Sequence, residues 1–300
     1  MLRPLTVCLV FLAIALTMLS WTATADRARF AEFRRTHNKN YSSDAEHQSR
    51  YEIFVNNLAV LANLTQGLSE EENIYGVTQF FDLTMDEFVQ GYLISEETLR
   101  TTIQEMRRDA TPYEPSPREK RDIPTSFDWR NHNPPVITDV INQGACSSCW
   151  AISAVEEIES MWALAGNPLT QLSISQVVDC DTGGYDHGCS GGGPPGAYRY
   201  IQSAGGLESA AVYPYHASNG NCGKHAYQSE KSVTSCNPGF SAGSIVARFS
   251  SWSFVTSTYD ENAMASFVAN TGPLSVCVDA LTWYYYRGGK KSYGEFRCHN

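Results

Sequence analysis

Two rhythms of apolar and polar residues divide this chain. A first apolar run, Leu5 to Leu19, follows Arg3 and precedes the small residues Ala23-Thr24-Ala25. It is shorter than the ~20 residues a membrane span needs, and the A-x-A spacing behind it suits a cleavage site, so residues 1–25 read as a secretory signal peptide. Beyond it, Phe30 with Phe33, then Tyr51, Phe54, Leu58 and Leu61, recur at helical spacing. The spacing predicts amphipathic helices over Arg29–Arg35 and Ala45–Leu64, followed by a short strand and a turn. A third helical face runs from Trp150 through Val155, Ile158, Met161 and Trp162 and stops at Gly166. Further on, "IVARFSSWSFV" reads as a strand, Glu261–Ala269 as a helix and Leu274–Asp279 as a strand.

Punctuation gives the domain plan. Pro112, Pro115 and Pro117 break every period, and Arg118, Lys120 and Arg121 follow at once, as in an exposed linker made to be cut. The expected organisation is a signal peptide (1–25), a helical domain (26–110), a linker with a processing site (111–121) and a larger domain (122–300). All mature cysteines lie in that last domain.

Composition narrows the function classes. With 42% apolar residues the chain can bury a sizeable core, and its net charge of −10 argues against nucleic-acid partners, which need clustered Lys and Arg. No other segment is suited to a bilayer, so no membrane partner is expected. The chain has nine cysteines, and removing Cys8 with the signal leaves eight, a number suited to an oxidising compartment. Asn40 and Asn63 open N-glycosylation motifs, consistent with the secretory route to a lysosomal or extracellular destination.

The candidate chemistry sits in "QGACSSCWAIS". Cys149 stands at the start of the third helix, where unpaired N–H groups and the positive dipole end favour a thiolate, the form that attacks a carbonyl. Three other readings compete: a C-x-x-C redox pair with Cys146, a zinc ligand, and a plain structural disulfide. The redox pair wants a preceding strand that "PPVITDVINQGA" supports weakly, and zinc wants a second close ligand pair, which Cys180 and Cys189 do not form. No metal site and no cofactor are expected.

On the helix over 45–64, Glu46, Arg50, Phe54 and Asn57 recur on one face, a spacing that permits ion pairs between turns. With Gly76, Thr78, Phe80 and Asp82 in "YGVTQFFDLTMDEF", this pattern resembles the inhibitory propeptide of papain-like cysteine proteases, and "IPTSFDWR" with "NQGACSSCW" resembles the mature enzyme of the same family. Thr78 is similar to the cathepsin F-like branch.

The resemblance implies an α+β, two-lobe papain-like fold: a helical lobe bearing the nucleophile helix and a barrel-like β lobe, preceded by a helical propeptide. It implies Cys149 as nucleophile and Gln143 as oxyanion donor. Disulfides Cys146–Cys189 and Cys180–Cys222 follow, as does a substrate edge at Gly191 and Gly192 with Trp150 beside the substrate. Two departures stand out: Ser147 where the family usually has Gly, and Gly193 where relatives often carry an aromatic. The partners implied are peptide or protein substrates and the chain's own propeptide as an intramolecular inhibitor, in a monomer.

Two features complicate activity. The base should lie about 130 to 150 residues after the cysteine, and only His299 falls there. The family pattern gives way in "KKSYGEFRCHN", so the larger domain is expected to be C-terminally truncated, without the usual His and Asn. One thiol is also left over, and Cys277 in "PLSVCVDA" reads as a free buried cysteine. The alternatives from other classes are a non-catalytic protease inhibitor or peptide-binding decoy, and a disulfide-rich structural module.

Overall fold

The computed structural model describes residues 24–70, 72–109, 123–184, 186–222, 245–256 and 260–288, with no side chains described at 105–109. The signal segment before residue 24, the processing residues Arg118, Lys120 and Arg121, and His299, Cys236 and Cys298 lie outside these. The chain divides into two compact units: residues through Phe88 together with those from Val278, and Val89–Cys277.

The first unit begins with a helix over residues 24–36 (α1), followed by α2 (Asp44–Leu64). Ser43 starts α2 by accepting the Glu46 N–H on its hydroxyl at 3.2 Å, and the Glu46 carboxylate reaches back to the Ser42 N–H at 2.7 Å. This reciprocal cap satisfies donors that a helix start leaves open. Phe54 is 1% exposed and meets the rings of Phe30, Phe33 and Phe81, so the apolar positions read from the sequence form this unit's aromatic core.

One expectation is corrected here. Arg50 does not pair along its helix with Glu46; it reaches Glu87 at 2.7 Å and donates to the Asp82 carbonyl at 3.0 Å. Glu46 is already engaged by its own cap, which leaves the guanidinium to join two separate chain segments. Asn57 does the same with its amide, donating to the Phe81 and Leu83 carbonyls, both at 3.0 Å.

The motif after α2 is likewise structural. Gly76 has no room for a Cβ, because the Arg287 side chain lies 2.8 Å from where it would stand, and its N–H donates to the Tyr285 carbonyl at 2.8 Å. Thr78 donates to the Tyr284 carbonyl at 2.6 Å, and Phe80 packs on Phe88. Buried Asp82 accepts from Lys39 at 2.8 Å and from Tyr41 at 3.1 Å. The expected short strand is a single bridge, Tyr75 to Tyr286.

Two helices follow that the periodicity did not predict, α3 (Met85–Tyr92) and α4 (Glu96–Asp109). Between them Leu93 and Ile94 leave the helical path, and Ser95 caps α4 by accepting the Thr98 N–H at 3.1 Å.

The second unit is organised around α5 (Cys149–Leu164), flanked by α6 (Ile174–Cys180) and α7 (Pro194–Ala204). Trp150, Ala151, Ala154, Val155 and Ile158 turn inward against Val177, Ala197 and Ile201 to make its core. Pro194 opens α7, where a missing N–H costs nothing, and Gly205 closes it in the left-handed region at φ 83°. Disulfides join Cys146 to Cys189 and Cys180 to Cys222.

The β content is smaller than the pattern suggests. Strand β1 (Leu207–Glu208) pairs antiparallel with β2 (Ile245–Ala247) in the register Leu207↔Ala247. The helix expected near Glu261 is present as α8 (Glu261–Asn270). Residues 274–279, expected as a strand, form no ladder among the described residues, and Cys277 is exposed rather than buried. A run of β-formers becomes a buried strand only where a second edge lies beside it.

Candidate active site

The loop Asn142–Ser148 and the head of α5 bring the candidate groups together. Gly144 takes φ 64°, and Ala217 lies 2.9 Å from where its Cβ would stand, so only glycine fits this turn. Tyr215 braces the loop by donating its hydroxyl to the Gln143 carbonyl at 2.8 Å, with Ser148 Oγ against the same phenol oxygen. Below, the Cys146–Cys189 disulfide and a Ser147 N–H bond to the Cys189 carbonyl at 3.0 Å tie the loop to the segment before Gly191.

Cys149 is the first residue of α5 and is solvent-exposed. Burial pushes the thiol above its ordinary range, outweighing the N–H groups of Trp150 and Cys149 that favour the thiolate.

The glycine edge is close to the same place. Gly191 adopts φ 109°, and a Cβ on Gly192 would meet the Trp150 ring at 2.7 Å. Trp150 is almost wholly buried and donates its indole N–H to the Gly188 carbonyl at 3.2 Å. It therefore supports the edge from beneath, where the resemblance had put it beside the substrate.

The end of α3 and the two residues after it lie against these groups. The Gln143 side-chain amide donates to the Tyr92 carbonyl at 2.9 Å, and the Ser147 hydroxyl donates to the Leu93 carbonyl at 3.1 Å. Ile94 packs on the bare face of Gly191, 3.3 Å from where a Cβ would stand. The sequence did not single out Tyr92–Ile94; the signal available was Ser95 just after it, an N-cap residue followed by two acidic residues that mark a new helix start. Tyr215 also went unread, since a tyrosine in "YPYH" has no distinguishing local context.

Asn40 and Asn63 are exposed, and the described residues hold no group of three or more metal-ligating side chains. No described helix is long and apolar enough to cross a membrane.

A helix-head thiol, a side-chain amide donor and a bare backbone edge covered by the chain's own Ile94 define the class of a cysteine peptidase in its precursor form. Residues 123–300 match the model of the papain family cysteine proteases, and residues 30–88 match the cathepsin propeptide inhibitor domain. The chain belongs to the papain family of cysteine proteases and carries its inhibitory propeptide domain.

Cysteine proteinase 1 of Dictyostelium discoideum is 34% identical over 276 residues, which cover 88% of this chain and 73% of that protein. A probable cysteine protease of Arabidopsis thaliana, RD19C, is 34% identical over 268 residues, and the chain spans 64% of its length. Among solved structures, digestive procathepsin L 3 of Tenebrio molitor larval midgut aligns with a TM-score of 0.70 at 27% identity, over 90% of this chain and 79% of that one. The recombinant stem bromelain precursor aligns at 0.64 and 28%, over 88% and 76%.

Proposed function

We propose that this chain is the precursor of a cysteine-type endopeptidase whose site is held shut by its own residues Tyr92–Ile94. The observation that carries the reading is the hydrogen bond from the Gln143 amide to a backbone carbonyl, alongside the Cys149 helix head. A donor aimed at one carbonyl oxygen can serve the oxyanion of another.

With the segment removed, a substrate carbonyl takes its place. The Cys149 thiolate adds to it, and Gln143 with the Cys149 N–H receives the negative charge. Collapse expels the amine and leaves an acyl-enzyme for water to hydrolyse. The proton taken from the thiol and returned to the amine needs a base, for which the sequence offers His299. Residues 26–110 act as the intramolecular inhibitor, cut free at Arg118, Lys120 and Arg121. The secretory route to a lysosomal or extracellular site, glycosylation at Asn40 and Asn63, a monomeric state and a cathepsin F-like kinship through Thr78 complete the reading.

A second reading, a non-catalytic inhibitor or decoy, draws on the burial that keeps the Cys149 thiol protonated. Turnover separates the two. The processed protein should cleave a fluorogenic peptide, lose that activity to iodoacetamide, and lack it as Cys149→Ala. Tight inhibition of a related protease without turnover would establish the decoy instead.

A further inference from the structure

Asp186 and Asp181 face each other beneath the glycine edge, only 2% and 5% exposed. Asp186 Oδ1 accepts the Gly193 N–H at 2.7 Å. Gly192 and Gly196 press so close to the Asp186 oxygens that neither position has room for a Cβ. Asp181, the C-cap of α6, accepts the Gly183 N–H on Oδ1 at 3.2 Å, while its Oδ2 finds no hydrogen-bond donor among the described residues.

Two buried carboxylates in contact cannot both stay ionised, and an orphaned buried oxygen is costly. One proton answers both problems. Placed on Asp186, it bonds to the Asp181 carboxylate and leaves Asp186 Oδ1 free to accept from Gly193. Burial first, and then the charge of Asp181, push Asp186 up to about 8, against the opposing Gly193 N–H and Arg199 of α7. Burial also raises Asp181, with the Gly183 N–H, the bond from Asp186 and Arg199 acting against it. The other titratable neighbours are Tyr200 of α7, which feels Asp181, and the adjoining, exposed His187.

We propose that protonated Asp186 is the positioning residue of the Gly191–Gly193 edge, gripping the Gly193 N–H with one oxygen and Asp181 with the other. The proposal rests on the reading of that edge as the strip against which a peptide chain lies. While the proton is held, the strip keeps the extended geometry that receives Ile94 now and a substrate after processing. When the proton leaves, two carboxylates repel beneath it and the grip loosens.

Amide hydrogen exchange of the full chain tests this without requiring turnover. Protection factors at residues 191–193 and 92–94, corrected for intrinsic exchange, are measured from pH 5 to pH 9 in the native protein, Asp186→Asn and Asp186→Ala. Asparagine keeps an N–H for Asp181 and a C=O for Gly193 but has no proton to lose.

The expected native profile is flat at acid pH and falls about tenfold per pH unit above about 8 at both segments. Asp186→Asn should hold its protection throughout, and Asp186→Ala should lack it at every pH. If the alanine variant fails to fold, Asp181→Asn gives the second comparison, since its amide satisfies an ionised Asp186 and should also abolish the fall. A native profile without the fall, an asparagine variant that tracks the native one, or a fall confined to 191–193 overturns the proposal. Failure of Cys149 to support thiol-dependent cleavage would overturn the proposed function and leave this measurement readable.

Discussion

At Cys149 two ordinary effects oppose each other: helix-head N–H groups draw the thiol toward the thiolate, and burial holds it back. Because burial wins in the closed precursor, alkylation of Cys149 in the intact chain should rise steadily through alkaline pH with no plateau near pH 5, as read by mass spectrometry. Gln143 is the sharper test of chemistry. In the processed enzyme Gln143→Ala should lower kcat about 10²- to 10³-fold with little change in KM, the loss expected for one oxyanion donor. Ser147, the family departure, gains a role from the Leu93 contact. Removing one neutral hydrogen bond is worth about 1 kcal/mol, so Ser147→Gly should weaken inhibition by the added propeptide roughly fivefold.

At the scale of elements, the sequence was most legible where apolar periodicity is long. The helices α2, α5 and α8 lie within a residue or two of their expected bounds, because Phe54, Val155 and Phe267 each belong to a face that must be buried. The helices α3 and α4 were missed although Leu99, Ile103 and Met106 do fall at helical spacing, because charged residues surround those three positions and outnumber them. The C-terminal strand failed for a different reason: pairing is decided by a distant partner, and no local pattern supplies one. In the site, Cys149 and Gln143 could be read from one contiguous motif, whereas Tyr92–Ile94 reach it only through the fold. Expected costs follow from these contacts. Phe54→Ala should destabilise the first unit by ~3–5 kcal/mol, and Asn57→Ala by ~1–3 kcal/mol through two unpaired carbonyls, both measurable by urea unfolding of the full chain.

Over the whole molecule, carboxylates of the two units are tuned in opposite directions. In the first unit Arg50 holds Glu87 low, and Ser42 holds Glu46 low. A carboxylate lowered by folding adds stability above its ordinary value, 4.5 for Glu87, and that stability is lost as pH falls through the lowered value. In the second unit burial raises Glu157, Glu159 and Asp181, and takes Asp186 to about 8. A raised carboxylate contributes fully below its ordinary value, 3.8 for Asp186, and loses that contribution as pH climbs toward about 8. Asp128, held at about 2 by Arg130, runs against this trend but acts only at extreme acid. Acidification from pH 7 to pH 3 should therefore weaken the first unit while strengthening the second. Segment-resolved hydrogen exchange at the two pH values should show protection falling in residues 44–64 and rising in residues 149–180.

The claim on which all of this turns is that Tyr92–Ile94 close a working cysteine site, and the alkylation rate of Cys149 before and after propeptide removal tests it most directly. Cleavage within residues 111–121 and dissociation at acid pH should speed labelling by a small reagent at least about tenfold, with reactivity persisting toward pH 5 as the thiolate is released. Equal rates before and after removal would contradict it, showing that the segment does not guard the thiol and that Cys149 has no activated state to uncover.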